Sequence, residues 1–125
     1  YALQSAKVTE PLTIVVLSDI QTDAPGTYER DVLSRAMAES PDLILLPGDY
    51  VHQHDPTRYE ETRARLNQMF VDAKLAAPLG VFAVEGNVDA AHAWTRVFDR
   101  LPVTSFERSA SLSSGPISPR TTWTV

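Results

Sequence analysis

Four side chains in this sequence carry a hard oxygen donor and stand in the same local setting. Asp19 and Gln21 follow the apolar run Ile14-Val15-Val16-Leu17. Asp49 follows Leu43-Ile44-Leu45-Leu46-Pro47-Gly48, and Asn87 follows Val81-Phe82-Ala83-Val84-Glu85-Gly86. Carboxylates, and amides acting through their carbonyl oxygens, suit Mg2+, Mn2+ or iron better than a metal that prefers thiolate. The chain has no cysteine, so any ion it holds must use oxygen or imidazole ligands. The spacing thus nominates Asp19, Gln21, Asp49 and Asn87 as ligands, with a pair of divalent cations as their occupant.

Such a set works only if the fold brings three strand ends together. In a parallel sheet, residues just past neighbouring strands converge on one crevice. The three apolar runs read as strands, the first from about Leu12 to Leu17 and long enough to be fully buried, the second from Leu43 to Leu46 as a central strand covered on both faces. Between them Tyr28, Val32, Leu33, Ala36 and Met37 recur at helical spacing, with Thr27 as N-cap and an end by Ser40, because Pro41 disfavours α conformation before it. Asp55-Pro56 starts a second helix of about five turns whose apolar stripe is Tyr59, Leu66, Met69, Phe70 and Ala73. Asp89 is placed to cap a third, burying Trp94, Val97, Phe98 and Leu101, and a weaker strand is expected at Val103 to Phe106. Strand and helix alternate, which predicts an α/β fold: a mostly parallel sheet with flanking helices.

The bulk numbers narrow the function. A chain of 125 residues, 43% hydrophobic and 22% charged, can form a core without disulfides and is at most one domain. Its net charge of −5 disfavours sequence-independent nucleic-acid binding, which depends on Lys and Arg neutralising phosphates. No apolar run approaches the roughly 20 residues of a membrane span. The chain starts at Tyr1 and not at Met, which suggests that its original start lies upstream. Residues 1–108 read as the folded part and 109–125, rich in Ser, Pro and Thr, as a flexible tail.

The segments Asp19-Ile20-Gln21, Gly48-Asp49 and Gly86-Asn87-Val88-Asp89 resemble, in order and in strand-end context, the D-x-H, G-D and G-N-H-D/E blocks of the calcineurin-like metallophosphoesterases. The resemblance implies half of a four-layer αββα sandwich and a hydrolase acting on a phosphomonoester or phosphodiester through a metal-bound hydroxide. By the same resemblance, Asp19 and Gln21 hold the first of two ions (Mn, Fe, Mg or Zn), Asp49 bridges both, and Asn87 binds the second while facing the phosphate. Asp49 and Asn87 are then the catalytic pair. Two departures stand out. Gln21 occupies a position usually held by histidine, and Val88 replaces the histidine that in many members assists the leaving group. The later histidine and the G-H-x-H block of the family have no match after Asn87, so a missing C-terminal half or a partner chain is expected to complete the site, and activity of this chain alone is expected to be impaired.

Other polar residues divide between site and scaffold. Asp89 reads first as a helix cap, and together with His92 as a candidate support for the ligands. His52 and His54 read as an exposed loop pair, because no third ligand lies near them in sequence. Trp94 and Phe98 read as core. Two alternatives stand beside the phosphoesterase. One is a non-catalytic metal-binding or protein-interaction module on the same fold. The other, a nucleotide-binding α/β domain, is disfavoured because no G-x-G-x-x-G or G-x-x-x-x-G-K-[ST] loop follows any strand.

Overall fold

Each apolar run becomes a strand in a computed structural model that describes Ala2, Gln4 and residues 9–89 and 93–106. The strands are β1 (Ile14–Val16), β2 (Leu43–Leu46), β3 (Val81–Val84) and β4 (Val103–Phe106). Two α-helices, α1 (Thr27–Ala38) and α2 (Pro56–Asp72), and a 3-10 helix (Trp94–Phe98) connect them. The sheet runs in the order β1-β2-β3-β4 with every pair parallel. Register places Val16 beside Leu45, Leu46 beside Ala83 and Val84 beside Phe106, so the C-terminal ends of the first three strands lie together.

Strand order explains the burial pattern. Right-handed crossovers that always step to the same side put their helices on one face of a sheet. Ile44, Leu46, Val81 and Ala83 point to that face and are buried, together with Leu33, Leu66, Phe70, Trp94, Val97 and Phe98 from the connections. Full burial of a Leu or Phe side chain is worth roughly 1.5–3 kcal/mol, so this single layer holds most of the cohesion. The opposite face is bare among the described residues: Ile14, Val16, Val84 and Phe106 are exposed, and Leu43, Leu45 and Phe82 only half-buried. This corrects two expectations. β1 is three residues long with both ends of its side-chain row exposed, and β2 is not covered on both faces but alternates half-buried with buried.

Local sequence accounts for the helices with one adjustment. Asp55 caps α2 by accepting from Thr57 N–H at 2.9 Å and Arg58 N–H at 3.0 Å, and Pro56 occupies the first turn, where it has no hydrogen bond to lose. The N-cap of α1 is Gly26 and not Thr27. The Glu29 side chain reaches back to accept the Gly26 N–H at 2.8 Å, and Leu33 and Ala36 take the buried face while Tyr28 stands 77% exposed. Among the described residues the stretch expected as a third helix is a 3-10 turn that follows Ala93, in which Trp94, Val97 and Phe98 are buried as the sequence suggests. Asp89 starts no described helix, for a reason that appears at the site. His92 and residues 109–125 lie outside the described residues. No described helix is long and apolar enough to cross a membrane.

Candidate functional site

The chain beyond β1 keeps running alongside the chain beyond β2. Leu17 N–H donates to Leu45 O at 3.0 Å, Gln21 N–H to Asp49 O at 2.8 Å and His52 N–H to Thr22 O at 3.0 Å, with an isolated bridge between Thr22 and Val51. The first two candidate segments are thereby joined through their backbones. Asp19 (φ 54°), Gln21 (φ 37°) and Asp49 (φ 61°) all occupy the left-handed region, which costs a non-glycine residue roughly 1–2 kcal/mol. Strain of this kind concentrates at functional sites, where surrounding structure imposes it.

The loops after β2 and β3 meet at still closer range. A Cβ on Gly48 would collide with the backbone of Gly86, and one on Gly86 with the backbone and carboxylate of Asp49, so both positions require glycine for the approach itself. Asp49 Oδ1 accepts the Val88 N–H at 2.9 Å. Asp89 sends its carboxylate back across the loop: Oδ2 accepts from Gly86 N–H at 2.7 Å and Asp49 N–H at 2.9 Å, and Oδ1 from Tyr50 N–H at 2.8 Å. Engaged with these three donors, Asp89 caps no described helix. Beneath them Tyr50 is fully buried, its hydroxyl 2.7 Å from Leu46 O and 2.8 Å from Val84 O, bridging the ends of β2 and β3. Burial, reinforced by the Asp89 and Asp49 carboxylates, pushes the Tyr50 phenol far above its ordinary range, so it stays a neutral donor.

The candidate ligands themselves face outward. Asp19, Gln21 and Asn87 are exposed and Asp49 is half-buried. Among the described residues the side chains of Asp19, Gln21 and Asn87 make no hydrogen bond, and Asp49 Oδ2 has no partner. Oxygens with no partner among the described residues, at the ends of adjacent strands, are the chemistry a hard divalent cation requires. Among the described residues no three His, Cys, Asp or Glu side chains form a group that could hold a metal ion, so the set rests on two carboxylates and two amides. A cavity of about 80 Å3 between the β1 loop and α1 is lined by Asp19, Ser18, Tyr28 and Val32, and does not include Gln21, Asp49 or Asn87. Of the four candidate ligands only Asp19 reaches that cavity; Gln21, Asp49 and Asn87 lie outside its lining.

Sequence reasoning passed over Tyr50, and it named Asp89 as a helix cap and candidate support for the ligands without the partners it reaches. Tyr50 follows the Gly48-Asp49 pair directly, and a large aromatic behind a strand-end turn was the signal for its bridging role. The reach of Asp89 to Asp49 and Tyr50 spans about 40 residues of chain and had no local signal. His52 and His54 form an edge-to-face pair with ring centroids 5.2 Å apart, both exposed, as expected of a loop pair.

Comparison with known families agrees with the sequence blocks. The family model described as calcineurin-like phosphoesterase matches residues 12–120, a span that includes all three segments and runs into the serine-rich stretch. A comparison with curated proteins and one with solved structures gave no match.

Proposed function

Because this chain belongs to the calcineurin-like phosphoesterase family, we propose that the ends of β1, β2 and β3 form its share of a two-metal phosphoesterase centre acting on a phosphomonoester or phosphodiester. Members of the family typically bind two metals. The observation that carries the reading is the continuous linkage of the three segments, from Gln21 N–H to Asp49 O and from Val88 N–H to the Asp49 carboxylate. Asp19 and Gln21 would hold one ion, Asp49 would bridge, and Asn87 would hold the other.

When bound, such a pair supplies an activated water and a clamp on the phosphate oxygens. The chain's own residues do the rest. Asp49, fixed through Oδ1, would offer an ion its Oδ2, which has no partner among the described residues. Asn87 can turn its carbonyl oxygen to an ion while its amide hydrogens donate to the phosphate. Val88 has no proton to give, so the leaving alcohol must draw one from solvent or be acidic enough to need none. Substrates with aryl or other acidic leaving groups are favoured accordingly.

Titration with Mn2+, followed by turnover of a chromogenic aryl phosphodiester and the matching monoester, tests this. Turnover is expected to appear with Mn2+ and to fall at least about 100-fold in kcat/KM in Asp49→Asn, a barrier increase of about 2.7 kcal/mol. Turnover that survives Asp49→Asn would remove the proposal. One observation favours a second reading, a non-catalytic metal-binding or interaction module: one of the two Asp49 oxygens is already taken by Val88 N–H. Mn2+ binding without turnover of either ester would support it.

A further inference from the structure

We infer that Asp89 is a positioning residue, which holds Asp49 in the left-handed backbone conformation from which its carboxylate reaches the candidate metal edge. The ligand role of Asp49 rests on the function proposed above; the clamp itself rests on hydrogen bonds alone. A residue at φ 61° stays there only if something opposes its relaxation. The Asp89 carboxylate does so by accepting the N–H of Asp49 at 2.9 Å and of Tyr50 at 2.8 Å, on the two residues that leave the turn. It also accepts the N–H of Gly86 at 2.7 Å, so one side chain ties the β2 loop to the β3 loop that carries Asn87.

The two loops are already in backbone contact at Gly48 and Gly86, a gap too narrow for a side chain of their own. A single carboxylate reaching in from Asp89 therefore supplies acceptors for three N–H groups that sit in that contact. The consequence is that Asp49 and Asn87 move as one unit, and that the Val88 N–H is delivered to Asp49 Oδ1 at 2.9 Å, leaving Oδ2 without a partner among the described residues. Asp89 touches no substrate in this scheme. It acts through Asp49, as hydrogen-bonding partners behind metal ligands generally do, at about 10–100-fold in metal affinity when removed.

Asp89→Asn is the informative change, because it keeps the shape but replaces one accepting oxygen with an NH2 that faces an N–H donor. Its Mn2+ affinity, measured by titration with water-proton relaxation, is expected to fall about 10-fold or more while far-ultraviolet circular dichroism stays that of the folded chain. The comparator is Tyr50→Phe, which loosens the same strand ends through Leu46 O and Val84 O but leaves the three accepted N–H groups in place. It is expected to lose thermal stability and to keep Mn2+ affinity within about twofold. Equal Mn2+ affinity in Asp89→Asn and the unaltered chain would overturn the inference. Should Asp89→Asn not fold, amide hydrogen exchange in the unaltered chain decides: slow exchange at Asp49, Tyr50 and Gly86 supports the clamp, and fast exchange at these three overturns it. If the unaltered chain binds no Mn2+ at all, the functional proposal fails, and the same exchange measurement still tests the clamp by itself.

Discussion

Six non-glycine residues in the described chain have positive φ, and they fall into two groups with different causes. Ser40, Lys74 and Arg100 each stand two residues past the end of a helix, just after its C-cap, where a left-handed residue lets the chain turn away and satisfies the final carbonyls. Lys74 shows the full pattern: its N–H donates to Val71 O, and Leu75 N–H donates to Phe70 O, with both Leu75 and Phe70 buried. Asp19, Gln21 and Asp49 follow strands, and no helix end explains them. Substituting glycine separates the groups. Lys74→Gly is expected to raise stability by about 0.5–1 kcal/mol, since the left-handed penalty it removes exceeds the backbone entropy that glycine adds to the unfolded chain. Urea unfolding with an unchanged m-value checks this, and a lower midpoint would contradict it. At this scale residue types were legible and backbone angles were not. Asp19, Gln21, Asp49 and Asn87 could be nominated from donor chemistry and strand-end spacing, but nothing in their neighbours announces a left-handed conformation. Asp89 was read first as a helix cap, and only then as a support for the ligands, because capping is the commonest local use of an aspartate before a helical pattern. The acceptors it offers are claimed instead by the N–H of Gly86, three residues back, and by those of Asp49 and Tyr50 on the loop after β2.

Helix starts and stops were legible where the cue is a side chain within one turn. Asp55-Pro56 opens α2 as its types predict, and the described bounds of β2 and β4 coincide with the expected ones. At α1 the cue was displaced by one residue, because Gly26 has no side chain to signal a cap and contributes backbone groups alone, its N–H to Glu29 and its carbonyl to the Arg30 N–H. Asn67, also unread, is buried in α2 and donates to Val97 O at 2.8 Å and Asp99 O at 3.0 Å, pinning the 3-10 turn to the helix. Tertiary partners decide such a role, so local pattern does not reveal it. The Glu29 arrangement carries a pH dependence whose sign follows from its environment. Partial burial pushes the carboxyl up, but hydrogen bonds from the Gly26 and Glu29 N–H groups and the Thr22 hydroxyl outweigh it, and the net effect holds Glu29 below its ordinary 4.5. A carboxyl lowered on folding stabilises the protein above its unfolded value and loses that contribution as pH falls through the folded one. Glu29→Gln should therefore cost about 0.5–1 kcal/mol at pH 7, with the difference from the unaltered chain shrinking below pH 4.5. Thermal unfolding followed from pH 7 to pH 3 measures it, and a difference that widens toward acid would refute the assignment.

For the whole molecule, the consequence with the widest reach is that its sheet has two unlike faces. Sequence periodicity recognised parallel strands but assigned them cover on both sides, as is usual when crossovers alternate direction. Here every connection steps the same way, so the helices collect on one face, and the other presents Val16, Val84 and Phe106 to solvent among the described residues. Phe82 and Phe106 stack across that face with ring centroids 6.0 Å apart. A matched pair of substitutions on one strand tests whether the faces differ in energy as they do in exposure. Val81 points inward and is 1% exposed, while Val84, three residues on, points outward and is 40% exposed. Valine to threonine keeps the volume and adds a hydroxyl, which costs about 1–3 kcal/mol where it is buried without a partner and within about 0.5 kcal/mol where water reaches it. Val81→Thr is accordingly expected to lower the urea midpoint clearly and Val84→Thr to leave it nearly unchanged. If Val84→Thr instead costs as much as Val81→Thr, the outer face is covered in the folded chain, and the one-sided architecture gives way to a two-sided core.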